Sequence, residues 1–225
     1  MEETSGTDKG VRVFSCIAGS RAYGLEVEGS DTDIRGVFVT PLRERFSLLP
    51  VREIDDSEDG DVVFYELRKF FCMACDGTPN AMEMLWSCPE DILHKDPRID
   101  PLFSSRDIFI TERAVRKMVG YAKGQLCVTD KKGVSDKSRN KGFMHAARTA
   151  MSALSMAVKG EPVVKNVGTD RDFLLKIRMG DFDAETVKAF VEKTSEQAVS
   201  ASRLLEKSVD MGKANTLFVD ACFRF

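Results

Sequence analysis

Gly19-Ser20-Arg21-Ala22-Tyr23-Gly24 and, a short way on, Ser30-Asp31-Thr32-Asp33-Ile34-Arg35-Gly36 are the two pieces of sequence on which the fold turns. Before the first piece, Val11 to Ala18 is rich in strand formers and runs straight into Gly19-Ser20, which predicts a strand and then a tight turn. Residues 31 to 39 set Asp31 and Asp33 against Thr32 and Ile34, continue into Val37-Phe38-Val39 and stop before Pro41, which predicts a second strand. On such a strand the two carboxylates share a face, roughly 6 to 7 Å apart. That spacing suits a pair of divalent cations, and Mg²⁺ needs only a few carboxylates besides substrate phosphates. A Gly-Ser turn lets backbone N–H groups and a hydroxyl approach phosphate oxygens, because glycine puts no side chain in the way. Either piece alone is also what an ordinary turn and a polar strand end look like. The order strand, Gly-Ser, Asp-x-Asp is what points to chemistry.

Working outward, Val51 to Asp55 and Asp61 to Tyr65 flank Ser57-Glu58-Asp59-Gly60 and read as a hairpin. The period then changes: Leu67, Phe70, Phe71 and Ala74 form one helical stripe, and Thr78-Pro79 opens a second helix through Trp86. Pro89, Pro97 and Pro101 punctuate the middle, and strand signals fade beyond them. Thr111 caps a helix carrying Ala114, Val115, Met118, Val119 and Ala122. Asp136 begins another with Phe143, Met144, Ala147, Met151, Leu154 and Val158, and Asp183 a third to about Val209. The expected architecture is α+β: a small mixed-sheet domain over 1–108, then an all-α helical domain over 109–225.

With 43% hydrophobic and 31% charged residues, the chain of 225 residues is ordinary for a globular protein. No apolar run approaches a membrane span, and the amino terminus has no secretion-signal pattern, so an intracellular, cytoplasmic protein is expected. Lys plus Arg number 33 against 36 Asp plus Glu, so any nucleic acid must be met by a local patch. Six cysteines without a secretory context are expected to stay reduced; Cys72-x-x-Cys75 falls in a helical stretch and reads as core thiols.

The combination Gly-Ser-x-x-Tyr-Gly, then Ser-Asp-x-Asp-x-Arg-Gly, resembles the polymerase-β-type nucleotidyltransferase superfamily, and within it the bacterial and phage branch that includes the RNA-repair-associated polymerase. Phe64 to Phe70, Pro79-Asn80 with Glu83-x-Leu85-Trp86, Lys141 with His145 and Arg148, and Leu174 to Gly180 extend the likeness over most of the chain. The resemblance implies a palm-like sheet domain and a helical domain that completes the cleft. It implies a nucleotidyltransferase with two Mg²⁺ or Mn²⁺ ions, moving NMP from an NTP to a hydroxyl acceptor with release of pyrophosphate. The metal-binding and catalytic set it implies is Asp31, Asp33 and a third carboxylate on a neighbouring strand, Asp61 being the choice and Asp55, Glu53 and Glu66 its rivals. The nucleotide- and phosphate-binding set is Gly19, Ser20, Arg21, Tyr23, Ser30 and Arg35 with Lys141, His145 and Arg148. Partners implied are an NTP and an acceptor, an RNA 3′ end or a small-molecule or protein hydroxyl, with no membrane.

Several of these residues carry a plainer reading as well. Lys131, Lys132, Lys137, Arg139, Lys141 and Arg148 stand against Asp136 alone, and Lys141, His145 and Arg148 span about 60° of helix surface opposite the apolar stripe. That face either is simply solvated or turns to the cleft and meets phosphate, where Arg148 suits bidentate contact. Arg21 and Arg35 neutralise phosphate or pair with Glu26 or Glu28. Tyr23 stacks or packs beneath the turn. A module of the same fold without catalysis, binding a nucleotide or an antitoxin-like partner, and a metal-dependent phosphodiesterase are the competing functions.

Overall fold

The computed structural model describes residues 10–56, 60–129, 133 and 135–225. The first expected strand is β1, Val11–Ala18, with Val13, Phe14 and Cys16 buried. It ends at Gly19, whose φ of +63° suits glycine, and the chain enters one short helix, α1, Gly19–Ala22, instead of a plain tight turn. The second strand, β2, is Asp33–Val39, so it begins later than the sequence suggests; Asp31 and Thr32 precede it and are exposed. Arg21 supplies the reason. Its Nη2 donates to the Ser30 carbonyl at 3.1 Å and its Nε to the Asp31 carbonyl at 3.3 Å, tying that segment to α1.

Past the short helix α2, Leu42–Arg45, the hairpin forms as expected from β3, Ile54–Asp56, and β4, Val62–Glu66, with Ser57 to Asp59 outside the described residues. Strand β5, Ile92–Lys95, was not legible, being short and set among prolines; it pairs with the free edge of β1. The sheet order is β3-β4-β2-β1-β5, with β2 and β4 parallel and the other pairs antiparallel.

Helix α3, Leu67–Cys75, buries the predicted stripe of Leu67, Phe70, Phe71 and Ala74, and Glu66 caps it by accepting from the Arg68 N–H at 2.6 Å. Helix α4, Pro79–Leu85, and α5, Asp100–Ser104, follow. From there the described elements are helical after a 3₁₀ turn: α6, Glu112–Thr129; α7, Asp136–Lys159; α8, Gly168–Met179; α9, Ala184–Ser202; α10, Met211–Phe223. Thr111 and Asp183 cap α6 and α9 as read, whereas α7 is capped by Ser135. The helix from Asp183 stops at Ser202 because Asp210 accepts from the Gly212 and Lys213 N–H groups and starts a separate helix.

One buried cluster joins the sheet to α3, α4 and α6 and takes in Ala153, Met156, Ala198, Ala214 and Ala221 from the later helices. A second cluster packs Ala22, Tyr23 and Leu25, just after the Gly-Ser turn, against Phe143, Met144 and Ala147 of α7 and Leu174 and Ile177 of α8. The turn therefore sits where sheet and helices meet. Helix α7 is central: Ala146, Ala147, Arg148, Thr149 and Ala150 are all buried, and its alanines let α6, α8 and α9 pack against it. None of the described helices is long and apolar enough to cross a membrane. Cys16 is buried, but Cys72 is exposed rather than a core thiol, and burial followed by the neighbouring Cys72 pushes the Cys75 thiol up, away from a reactive thiolate.

Candidate active site

Register decides which residues meet. In the antiparallel ladder Ala18 faces Asp33 and Cys16 faces Arg35, so the Asp33 carboxylate stands beside Gly19 as the chain leaves β1. The approach is close: a Cβ added to Gly19 would lie 1.9 Å from Asp33 Oδ2. The parallel ladder pairs Ile34 with Val62, and the Ile34 N–H donates to the Asp61 carbonyl at 2.7 Å, bringing the Asp61 backbone alongside Asp33 and Ile34. Arg35 knits the two strands together. Its Nη1 donates to the carbonyls of Ile34 at 3.0 Å and Asp61 at 2.9 Å, and its Nη2 lies 3.4 Å from Asp33 Oδ1.

A cleft of about 80 Å³ opens here, lined by Gly19, Tyr23, Asp33, Arg35, Asn80 and Glu83 among others. Asp31, Asp61 and Ser20 are not in its lining, and Arg21, which holds the Asp31 carbonyl, lies outside it as well. Arg21 does not pair with Glu26 or Glu28, and the Ser30 hydroxyl accepts from the Val27 N–H at 2.9 Å, so both shape the loop before Asp31. The same loop is gripped from α8, where Arg171 donates to the Gly24 carbonyl at 2.7 Å and Arg178 to the Leu25 carbonyl at 2.6 Å.

The rivals for the third carboxylate lie elsewhere. Glu66 pairs with Phe38, about 16 Å along the parallel ladder from Asp33 at 3.3 Å per residue. Its carboxylate caps α3 and lines a different groove, of about 830 Å³, between α3, α10 and the segment near Phe46. Glu53 is paired with Lys69 at 2.8 Å, and Asp55 with Arg52 at 2.8 Å and Arg12 at 3.7 Å.

The basic face of α7 differs from expectation. Lys131 and Lys132 lie outside the described residues, Arg139 is paired with Asp136 at 2.7 Å, and Lys141 is exposed near the start of the helix. Arg148 is 4% exposed, so it does not present a fork to solvent. Its Nη2 is 2.8 Å from Glu83 Oε1, and its guanidinium lies 3.6 Å over the Tyr23 ring. The Tyr23 hydroxyl donates to Glu83 Oε2 at 2.7 Å, so Tyr23 packs beneath the turn. Burial, then the Glu83 charge, pushes its pKa far above the usual range and keeps that donor protonated. His145 meets Tyr23 edge-on, ring centroids 6.2 Å apart. Burial, then the charges of Arg148, Lys141 and Arg178, pushes its pKa down to about 3, so it is a neutral imidazole, not a cationic phosphate ligand.

Sequence reasoning missed Glu83 as a site residue, although an acid set between Met82 and Met84 in an apolar helix is the sign of a buried carboxylate that needs partners. Asn80, one helical turn before it, donates to the Tyr65 hydroxyl at 3.3 Å and also lines the cleft. Of the three aspartates, Asp33 alone puts a carboxylate in the cleft lining, an oxygen donor of the kind a hard divalent cation takes. Among the described residues the one cluster with ligand geometry is Cys88, Glu90 and Asp91, whose ligand atoms lie within 4.8 Å of one another; Asp31, Asp33 and Asp61 do not converge in that way. There Lys165 Nζ already holds Glu90 at 3.0 Å and Asp91 at 3.4 Å.

A family model matches residues 3–220. The chain belongs to RlaP, the RNA repair pathway DNA polymerase beta family. The match covers both the sheet and the helices, so the helical half is part of the RlaP family pattern. No curated protein and no solved structure matches.

Proposed function

We propose that the protein transfers a nucleoside monophosphate from an NTP to a hydroxyl acceptor, releasing pyrophosphate, at the cleft between the Gly19 turn and Asp33. The observation that carries the reading is the fit of turn and carboxylate: Gly19 leaves room for Asp33 Oδ2 that any other residue would fill. Asp33, Asp31 and Asp61 would hold two Mg²⁺ or Mn²⁺ ions, whose oxygen donors they supply. Bound there, the ions would neutralise charge gathering on the transferring phosphoryl group and the leaving pyrophosphate.

The protein's own groups do the rest. The Gly19-Ser20 backbone and the Ser20 hydroxyl orient phosphate oxygens, and Arg35 keeps Asp33 and the Asp61 backbone in register while offsetting phosphate charge. Asp61 takes the proton of the acceptor hydroxyl as its oxygen bonds to the α-phosphorus and the bond to pyrophosphate breaks. Membership of an RNA repair pathway family supports an RNA 3′ end as acceptor, and exposed Lys141 and Lys137 provide positive charge for a strand.

Two observations favour a second reading. Asp31 is absent from the cleft lining and Arg35 already sits on Asp33 Oδ1, as in a nucleotide-binding module without catalysis. Incubation with each α-labelled NTP, Mg²⁺ and RNA, tRNA or small hydroxyl acceptors separates the two. The proposal requires label in an acceptor with matching pyrophosphate; NTP binding without transfer under every condition would leave the silent module.

A further inference from the structure

Tyr23 is the C-cap of α1, and its N–H donates to the Gly19 carbonyl at 3.1 Å, so the position of Tyr23 is transmitted to the Gly19-Ser20 turn. Three separate elements fix it. The strap after α7 holds its carbonyl, through the Asn166 N–H at 3.0 Å and Nδ2 at 3.1 Å. Glu83 of α4 accepts from its hydroxyl, and Arg148 of α7 covers its ring. Glu83 is 8% and Arg148 4% exposed, and Arg148 Nε and Nη1 have no acceptor among the described residues. The guanidinium thus depends on Glu83 and the Tyr23 face for its compensation, and Glu83 is held toward Arg148 although it also lines the cleft.

From this arrangement we infer that Glu83 is a positioning residue for the phosphate-holding turn, acting through the Tyr23 hydroxyl while Arg148 neutralises its carboxylate at the cleft wall. The inference rests on the nucleotidyl-transfer reading only in its functional readout. Loss of the Tyr23 hydroxyl frees the turn. Loss of Arg148 leaves that carboxylate unneutralised at the cleft wall, where a second negative charge works against phosphate. Replacing Glu83 by Gln together with Arg148 removes both charges yet keeps a carbonyl that accepts from Tyr23.

The test uses the full chain and two measurements: amide hydrogen exchange over residues 19–24 without ligand, and calorimetric affinity for Mg²⁺ with each NTP. Tyr23→Phe is expected to exchange faster over 19–24 and bind about tenfold more weakly while staying folded. Arg148→Met is expected to bind at least tenfold more weakly, and Glu83→Gln with Arg148→Met to return within about threefold of the parent. Adding Tyr23→Phe to that pair is expected to lose the affinity again. A purely structural role makes affinity follow thermal stability and gives no such recovery. Unchanged exchange and affinity in folded Tyr23→Phe would overturn the inference. Should the parent bind no NTP at all, the transfer reading fails, and the exchange data alone decide whether Glu83 positions the turn.

Discussion

Gly19→Ala probes the site because its structural and chemical costs separate. The residue has φ +63°, and the left-handed conformation costs alanine about 1–2 kcal/mol. For a chain of this size that is a fall in Tm of about 2–8 °C. The new Cβ would also stand 1.9 Å from Asp33 Oδ2, and contacts under 3.0 Å do not persist, so the carboxylate must move by at least 1.1 Å, the difference between the two. Turning a short side chain adds little to the stability cost. A displacement of about 1 Å at a reacting centre costs on the order of a hundredfold in rate. Gly29 is the control, with φ +78° and nothing within 4 Å of an added Cβ. Gly29→Ala is expected to match Gly19→Ala in Tm and the parent in activity, within about twofold. Gly19→Ala is expected to lose at least about a hundredfold in pyrophosphate release and labelled transfer. Equal activity of the two variants would refute the placement of Asp33 in the chemistry.

Further outcomes follow from the same geometry. Asp33→Asn and Asp61→Asn are each expected to cut labelled transfer by at least about a hundredfold, while Asp55→Asn, committed to Arg12 and Arg52, stays near the parent; an active Asp61→Asn would remove it as the third carboxylate. Glu66→Ala is expected to cost about 1 kcal/mol in urea unfolding through loss of the α3 cap, with transfer unchanged; a large activity loss would return Glu66 to the site. His145 has a pKa of about 3 in the fold against 6.5 when exposed, so the unfolded chain binds the extra proton between these values. Its contribution is complete above pH 6.5 and is lost as pH falls toward 3, about 2 kcal/mol by pH 5. Urea unfolding of His145→Gln should therefore lose about that much less than the parent between pH 7.5 and 5, and parallel curves would contradict the buried neutral imidazole.

Local signals carried far in this chain where local chemistry decides. The stripe Leu67, Phe70, Phe71, Ala74 and the caps at Thr111 and Asp183 depend on neighbours a few residues away, and each appears where the sequence places it. The approach of Gly19 to Asp33 is likewise local, since a strand, a turn and an adjacent strand generate it. Arg148 was read as an exposed phosphate ligand because its burial is decided by a glutamate on α4 and by helices packing all round α7, none visible in its own heptad. Asp31 was placed on the strand because alternation alone does not reveal that Arg21 captures the carbonyls before it. Likewise β5 lacks the length to signal itself, and the grip of Arg171 and Arg178 on Gly24 and Leu25 links segments far apart in sequence.

Where metal and nucleotide bind decides whether the Gly19 turn and Asp33 form the active site. Crystals soaked with Mn²⁺ and a non-hydrolysable NTP analogue, read by manganese anomalous scattering, should show manganese on Asp33 together with Asp31 and Asp61, and the triphosphate along Gly19 and Ser20. Manganese on Cys88, Glu90 and Asp91 instead, or a nucleotide seated in the groove beside Glu66, would contradict that placement.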